Sequence, residues 1–130
     1  MKKSFELFCN NFIKSGVRTG VKHIIILEDE KNIQIYKNQK SLYILKKPVY
    51  EIEREVFERI ISEISENTIQ GTSVLFMYGT EKVINHSEYD VKACYNDIYI
   101  MQLLEKYNFL IYDEKSESES IKFVNAVYYR

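Results

Sequence analysis

The 130-residue chain has no tryptophan, one proline, four glycines and only two cysteines. Cys9 and Cys94 stand far apart and belong to no C-x-x-C pair, which excludes a disulfide scaffold. Each falls on the apolar stripe of an expected helix, so both are read as buried free thiols. Ligand pairs at the spacing of structural zinc sites are missing as well, and neither a metal nor a cofactor is expected. Long hydrophobic runs are absent: residues 24–27 form one of the longest, far short of the ~20 that cross a bilayer. Met1, Lys2 and Lys3 start like a secretory leader, but Ser4, Glu6, Asn10 and Asn11 break the apolar segment a leader needs. A cytoplasmic, membrane-free protein is expected.

What is present looks like an ordinary folded protein. Hydrophobic residues make up 45% and charged residues 28%, and the length suits one domain over residues 1–130. Net charge is −1, yet the charge is unevenly spread. Residues 1–50 hold ten Lys or Arg against four Asp or Glu, a balance of +6, while residues 51–130 hold eight against fifteen, a balance of −7. Two readings fit this polarity: the halves neutralise each other on folding, or one of them faces a charged partner.

Periodicity gives the elements. Phe5, Phe8, Cys9, Phe12 and Ile13 share one face of a first helix, with Ser4 as N-cap and Gly16 as its stop. Residues 21–28, 33–37 and 41–46 are β-branched and aromatic runs separated by polar turns, and they predict a three-stranded meander. In the third run Leu42 and Ile44 alternate with Tyr43 and Leu45, so that strand is expected to be covered on both faces, and Pro48 ends it. A second helix over residues 50–66 carries Ile52, Val56, Phe57, Ile60, Ile61 and Ile64 inward and a row of glutamates outward. Residues 73–78 predict a core strand and 82–85 a short extended piece. Ser87 with Asp90 resembles a capping pair for a third helix, although Asn96-Asp97 allows that helix to start instead near Ile98 and end at Asn108. Residues 109–113 and 121–129 predict a C-terminal hairpin around a Ser/Glu loop. The expected fold is α+β: a mainly antiparallel sheet, meander plus hairpin, with about three helices packed on one face.

No catalytic motif accompanies these elements. His23 alternates with Val21, Ile25 and Leu27 and is read as a core-edge residue. His86 precedes an expected helix N-terminus and is the better candidate for a small enzyme. Gly16-Val-Arg-Thr-Gly20, with Arg18 and Thr19 as its anion-binding residues, follows a helix and precedes a strand, the reverse of a nucleotide-binding loop. Eleven tyrosines, among them Tyr36, Tyr50, Tyr89, Tyr112 and Tyr128, suit an interface but also a compositional bias. The leading expectation is a protein-binding role, as an inhibitor or immunity-like neutraliser of a basic toxin or nuclease. Its binding residues would be Glu51, Glu55 and Glu58 on the second helix with Tyr112, Glu114, Glu117 and Glu119 on the hairpin. The alternative is nucleic-acid binding by Lys37, Lys40, Lys46 and Lys47 with Tyr36 and Tyr43. Assembly through an exposed edge strand, giving a homodimer, is a further expectation.

Overall fold

The computed structural model describes residues 2–130, apart from the side chains of residues 16–18. In chain order its elements are α1 (Lys3–Arg18), β1 (His23–Leu27), β2 (Ser41–Leu45), α2 (Arg54–Asn67), β3 (Ser73–Gly79), α3 (Asp97–Lys106), β4 (Phe109–Ser116) and β5 (Ile121–Tyr128). Short 3-10 turns lie at Val49–Glu51 and Glu81–Asn85. The strands form one sheet in the order β1-β2-β3-β5-β4. β1, β2 and β3 run parallel, and the hairpin of β4 and β5 joins with β5 antiparallel to β3.

A mixed sheet corrects the expectation of a mainly antiparallel one, and the reason lies in residues 28–40. The middle run of the supposed meander forms no strand. Ile33, Ile35 and Tyr36 pack against the core through their side chains instead. Tyr36 stacks on His23 with ring centroids 3.7 Å apart, and its backbone N–H donates to the Tyr43 hydroxyl at 3.2 Å. Without that middle strand β1 and β2 become neighbours. Residues 28–40 are then the crossover, close to the length of about a dozen that parallel neighbours require.

Alternation along β2 and β3 explains why both lie at the centre of the sheet. Tyr43, Leu45, Val74, Phe76 and Tyr78 join one core with Phe57, Ile60, Ile61 and Ile64 of α2 and Ile100, Leu103 and Leu104 of α3. Leu42, Ile44, Leu75 and Met77 join another with Phe5, Phe8 and Cys9 of α1 and with Phe123. Helices therefore cover both faces, α1 on one and α2 with α3 on the other, which corrects the one-face expectation. At about 1.5–3 kcal/mol for each fully buried large apolar side chain, this double burial fixes the centre of the sheet.

Several helix ends depart from expectation, and α2 starts at Arg54, after the 3-10 turn Val49–Glu51, rather than at Tyr50. α1 already includes Ser4, whose Oγ is buried with no hydrogen-bond partner among the described residues, and it runs past Gly16 toward Gly20, which takes φ +86°. Residues 82–85 turn rather than extend, and Ser87 and Asp90 open no helix. α3 begins where Asn96 Oδ1 accepts from the Tyr99 N–H at 2.7 Å, the later of the two starts, and Asn108 leaves it at φ 66°. Among the described residues no helix is long and apolar enough to cross a membrane.

Candidate functional site

Parallel strands align their carboxyl ends, and in open sheets of this kind the loops leaving those ends form the ligand crevice. Here they are the Glu28-Asp29-Glu30 segment after β1, Lys46-Lys47-Pro48 after β2 and the turn after Gly79. At the first two of these, and over Met77 of β3, lies a cleft of about 560 Å³, lined by Lys2, Glu28, Lys46, Lys47, Pro48, Tyr50, Glu51, Met77 and Tyr89. Its floor is apolar, with Tyr50 and Met77 both buried. Tyr89 packs on Tyr50 at 5.1 Å, and His86 on Tyr89 at the same distance. Burial pushes the Tyr50 hydroxyl up to about 12, with the Tyr89 and Glu51 charges adding to the rise.

The rim is ionic. Lys46 Nζ lies 3.1 Å from Glu28 Oε2, and Lys47 Nζ lies 3.0 Å from Glu30 Oε1. A hydrogen bond from its own backbone N–H, and then the one from Lys47, hold the Glu30 carboxyl below the usual carboxylate range. Lys47 is raised in return, first by its bond to Glu30 and further by the fields of Glu51 and Asp29. Glu51 forms no ion pair among the described residues. Backbone bonds from Lys92 and Ala93 to the Tyr50 carbonyl, at 2.7 and 3.3 Å, tie the segment carrying Tyr89 across this floor.

His86 stands beyond the aromatic row. Its Nε2 is 3.0 Å from Ser120 Oγ and its Nδ1 is 3.3 Å from Glu88 Oε1, the order of groups in a serine hydrolase relay. The surroundings do not complete such a site. Ser120 is buried, and the Ser118 hydroxyl already takes the N–H groups of Ser120 and Ile121 at 3.1 and 3.2 Å, so neither donor can serve an oxyanion. Nor does His86 precede a helix: it follows the 3-10 turn, and α3 starts only at Asp97.

The residues expected to bind a partner are spread over the molecule. Glu51 is on the cleft and Glu55 is exposed on α2. Glu58 Oε1 accepts from Lys106 Nζ and from the Tyr107 hydroxyl, both at 2.9 Å. Glu114 meets Lys122 at 3.5 Å, Glu117 meets Lys2 at 3.4 Å, and Glu119 meets Lys82 at 3.2 Å. Four of the six carboxylates named are thus paired within the chain, although only the Lys2–Glu117 pair joins the basic half to the acidic one. Tyr112 sits at the irregularity in the β4–β5 register and is 73% exposed. The basic residues named for nucleic acid are divided too. Tyr43 is fully buried, Lys40 Nζ is 2.7 Å from the Thr19 carbonyl, and Lys46 and Lys47 are paired at the cleft. Arg18 of the Gly16–Gly20 segment has its side chain outside the described residues. Sequence reasoning named Glu51, Lys46, Lys47, Tyr50 and Tyr89 under three different readings and did not see that they meet. A signal existed in Lys46-Lys47-Pro48 at a strand's end, legible once the strand is known to run parallel to its neighbours.

No protein-family model matches the chain, and no curated protein matches it. Solved structures do resemble its fold. The mitomycin 7-O-methyltransferase MmcR superposes with a TM-score of 0.56 at 13% identity, over 76% of this chain and 32% of its own. An S-adenosylmethionine-dependent methyltransferase from Clostridium acetobutylicum ATCC 824 gives 0.56 at 11%, over 90% of this chain and 69% of its own. The N-methyltransferase NodS from Bradyrhizobium japonicum WM9 gives 0.53 at 10%, over 78% and 57%. The chain thus spans about a third of the mitomycin enzyme's length. These likenesses establish a methyltransferase-like fold. They overturn the expectation of an inhibitor or immunity-like neutraliser, because the solved structures that share this fold are methyltransferases.

Proposed function

We propose that the chain is a ligand-binding protein built on a methyltransferase-like fold, and that its ligand is a small zwitterion with an aromatic or otherwise apolar body. The observation that carries this reading is the cleft of about 560 Å³ at the carboxyl ends of the parallel strands, within the ~300–1,000 Å³ usual for small-molecule sites. Lys46 and Lys47 suit a carboxylate, Glu51 suits an ammonium, and the Tyr50 and Tyr89 rings suit a flat or cationic body between them.

S-adenosylmethionine, named for one of the comparison enzymes, has an amino-acid end of this kind. Its nucleoside end finds no matching residues here. Nucleotide-type sites bring backbone against the ligand through a glycine-rich turn that follows a strand and opens a helix. β1 leads instead into Glu28-Asp29-Glu30 and a connection without a helix. Gly79 ends β3, but a Cβ there would meet the Val83 side chain at 2.8 Å, so its smallness serves packing. We therefore derive no methyl transfer.

Calorimetric titration of the full chain with S-adenosylmethionine, S-adenosylhomocysteine, methionine and tyrosine tests the reading. The expected result is saturable binding of at least one of them, weakened about tenfold, or about 1.4 kcal/mol, by Lys46→Met and by Glu51→Gln. Circular dichroism of each variant checks that it is folded. If none of the four binds saturably, the reading fails. The same proposal takes residues 1–130 as one domain, supported by the single sheet built from strands between His23 and Tyr128, and the cytoplasm as its compartment, supported by Cys9 and Cys94 as free thiols.

A further inference from the structure

β1 is the outermost strand on the parallel side, and within His23–Leu27 it carries no proline, no acidic or lysine side chain and no bulge, the devices that normally keep an edge from pairing. Its two faces differ. Ile25 and Leu27 are buried in the core shared with α2. Ile24 and Ile26 point to the α1 face, in register with Leu42 and Ile44 of β2, yet they remain 42% and 48% exposed. α1 covers Leu42, Ile44, Leu75 and Phe123 and leaves this last strand open.

The exposed face continues past both ends of the strand. With a period of two, Lys22, Ile24, Ile26 and Glu28 follow one another on it, and all four are exposed. Reversing that string about Ile25 exchanges Lys22 with Glu28 and Ile24 with Ile26, so it is complementary to itself in the antiparallel sense. An isologous twofold interface demands this property, whereas an edge built for a different strand has no need of it.

We propose that β1 pairs antiparallel with β1 of a second copy of this chain, about a twofold axis through Ile25, so that the two sheets join edge to edge. Ile24 then faces Ile26 of the other copy twice over, and four exposed isoleucines bury one another. Lys22 faces Glu28 at both ends, adding a second cation to a carboxylate that Lys46 already contacts. The backbone groups on the outer side of β1 gain partners, as they do in any added strand. The isoleucine pairing stands apart from the cleft, although Glu28 at each end of it also lines the cleft.

Size-exclusion chromatography with light scattering on the full chain is the first test. The expected mass is twice 15.5 kDa, falling to 15.5 kDa in the Ile24→Lys/Ile26→Lys variant with an unchanged circular dichroism spectrum. The second test reads the register, in a background with Cys9→Ser and Cys94→Ser. Directly opposed residues lie within disulfide reach, whereas diagonal neighbours stand about 7–8 Å apart. Oxidising a mixture of Ile24→Cys and Ile26→Cys chains is therefore expected to give a disulfide dimer of the two, with little cross-linking of either alone. A monomeric parent protein, a dimer that survives the double lysine variant, or cross-linking as strong in Ile24→Cys alone as in the mixture would each overturn the proposal.

Discussion

The two sides of the sheet bury their strands to different degrees. Every residue of β2 and all but the first of β3 are buried, whereas β4 buries Phe109 alone and leaves Leu110 49% exposed. On the parallel side β2 and β3 are covered by helices on both faces, β1 at the edge is covered on one, and the connections between them carry the candidate cleft. On the antiparallel side a hairpin closes through a local turn and shows much of one strand to solvent. The first side has its side chains placed by packing and can hold a precise site at its ends. The second buries β5 in both cores through Ile121, Phe123, Val124 and Ala126, and only its outer strand, β4, depends mainly on the ladder.

The sharpest way to break this comparison is to truncate one apolar residue on each side. Phe76 is fully buried in β3 and meets Phe57 edge-on at 5.2 Å, so Phe76→Ala is expected to cost about 3–5 kcal/mol in a urea unfolding experiment. Leu110→Ala, in β4, is expected to cost about 0.5 kcal/mol or less. Equal losses would mean that Leu110 is packed as fully as Phe76, against its exposure at the outer strand of the hairpin.

A smaller contrast comes from two threonines. The buried Thr72 hydroxyl accepts from the Ser41 N–H at 3.0 Å and from the Thr68 hydroxyl at 2.6 Å, which fixes the start of β2 against the start of β3. Thr72→Val keeps the volume but leaves both donors without an acceptor, and about 1–3 kcal/mol is expected to be lost. The Thr80 hydroxyl donates to the Glu119 carbonyl at 2.7 Å in an exposed bond at the hairpin turn, where water can replace it. Thr80→Val is expected to cost less than about 1 kcal/mol by the same denaturation measurement.

What the sequence disclosed follows the same division. Local patterns were legible: the Phe5, Phe8, Cys9 stripe of α1, the two-sided burial of β2, the Asn96 start and Asn108 end of α3, and the hairpin. Each depends on residues near one another in the chain. Whether β1 and β2 run parallel depended instead on whether residues 33–37 found strand partners, and their alternating Ile33 and Ile35 serve side-chain packing just as well. The direction of those strands decides which loops meet, so the cleft became invisible with it. Charge was obscured for a similar reason. Lys2 meets Glu117, and Lys82 meets Glu119, across separations that no periodicity encodes.

A further small effect is expected where the two sides are tied. α2 belongs to the crossover between β2 and β3, and α3 leads from β3 into the hairpin. Glu58 on α2 joins them through Lys106 and Tyr107. Its carboxyl is held below the usual range by the hydrogen bond from Lys106 first and that from Tyr107 next. A lowered value means that this contribution is present above the unfolded carboxylate value of about 4.3 and is lost as pH falls through the lower folded value. Because the pair is partly exposed, Glu58→Gln is expected to cost no more than about 1 kcal/mol near neutral pH. As pH drops below the folded value the parent and variant curves should converge, and added salt should narrow the gap at neutral pH. A gap that persisted unchanged into acid would mean that Glu58 holds the helices by packing alone, and that the two sides of the sheet are not coupled through this carboxylate.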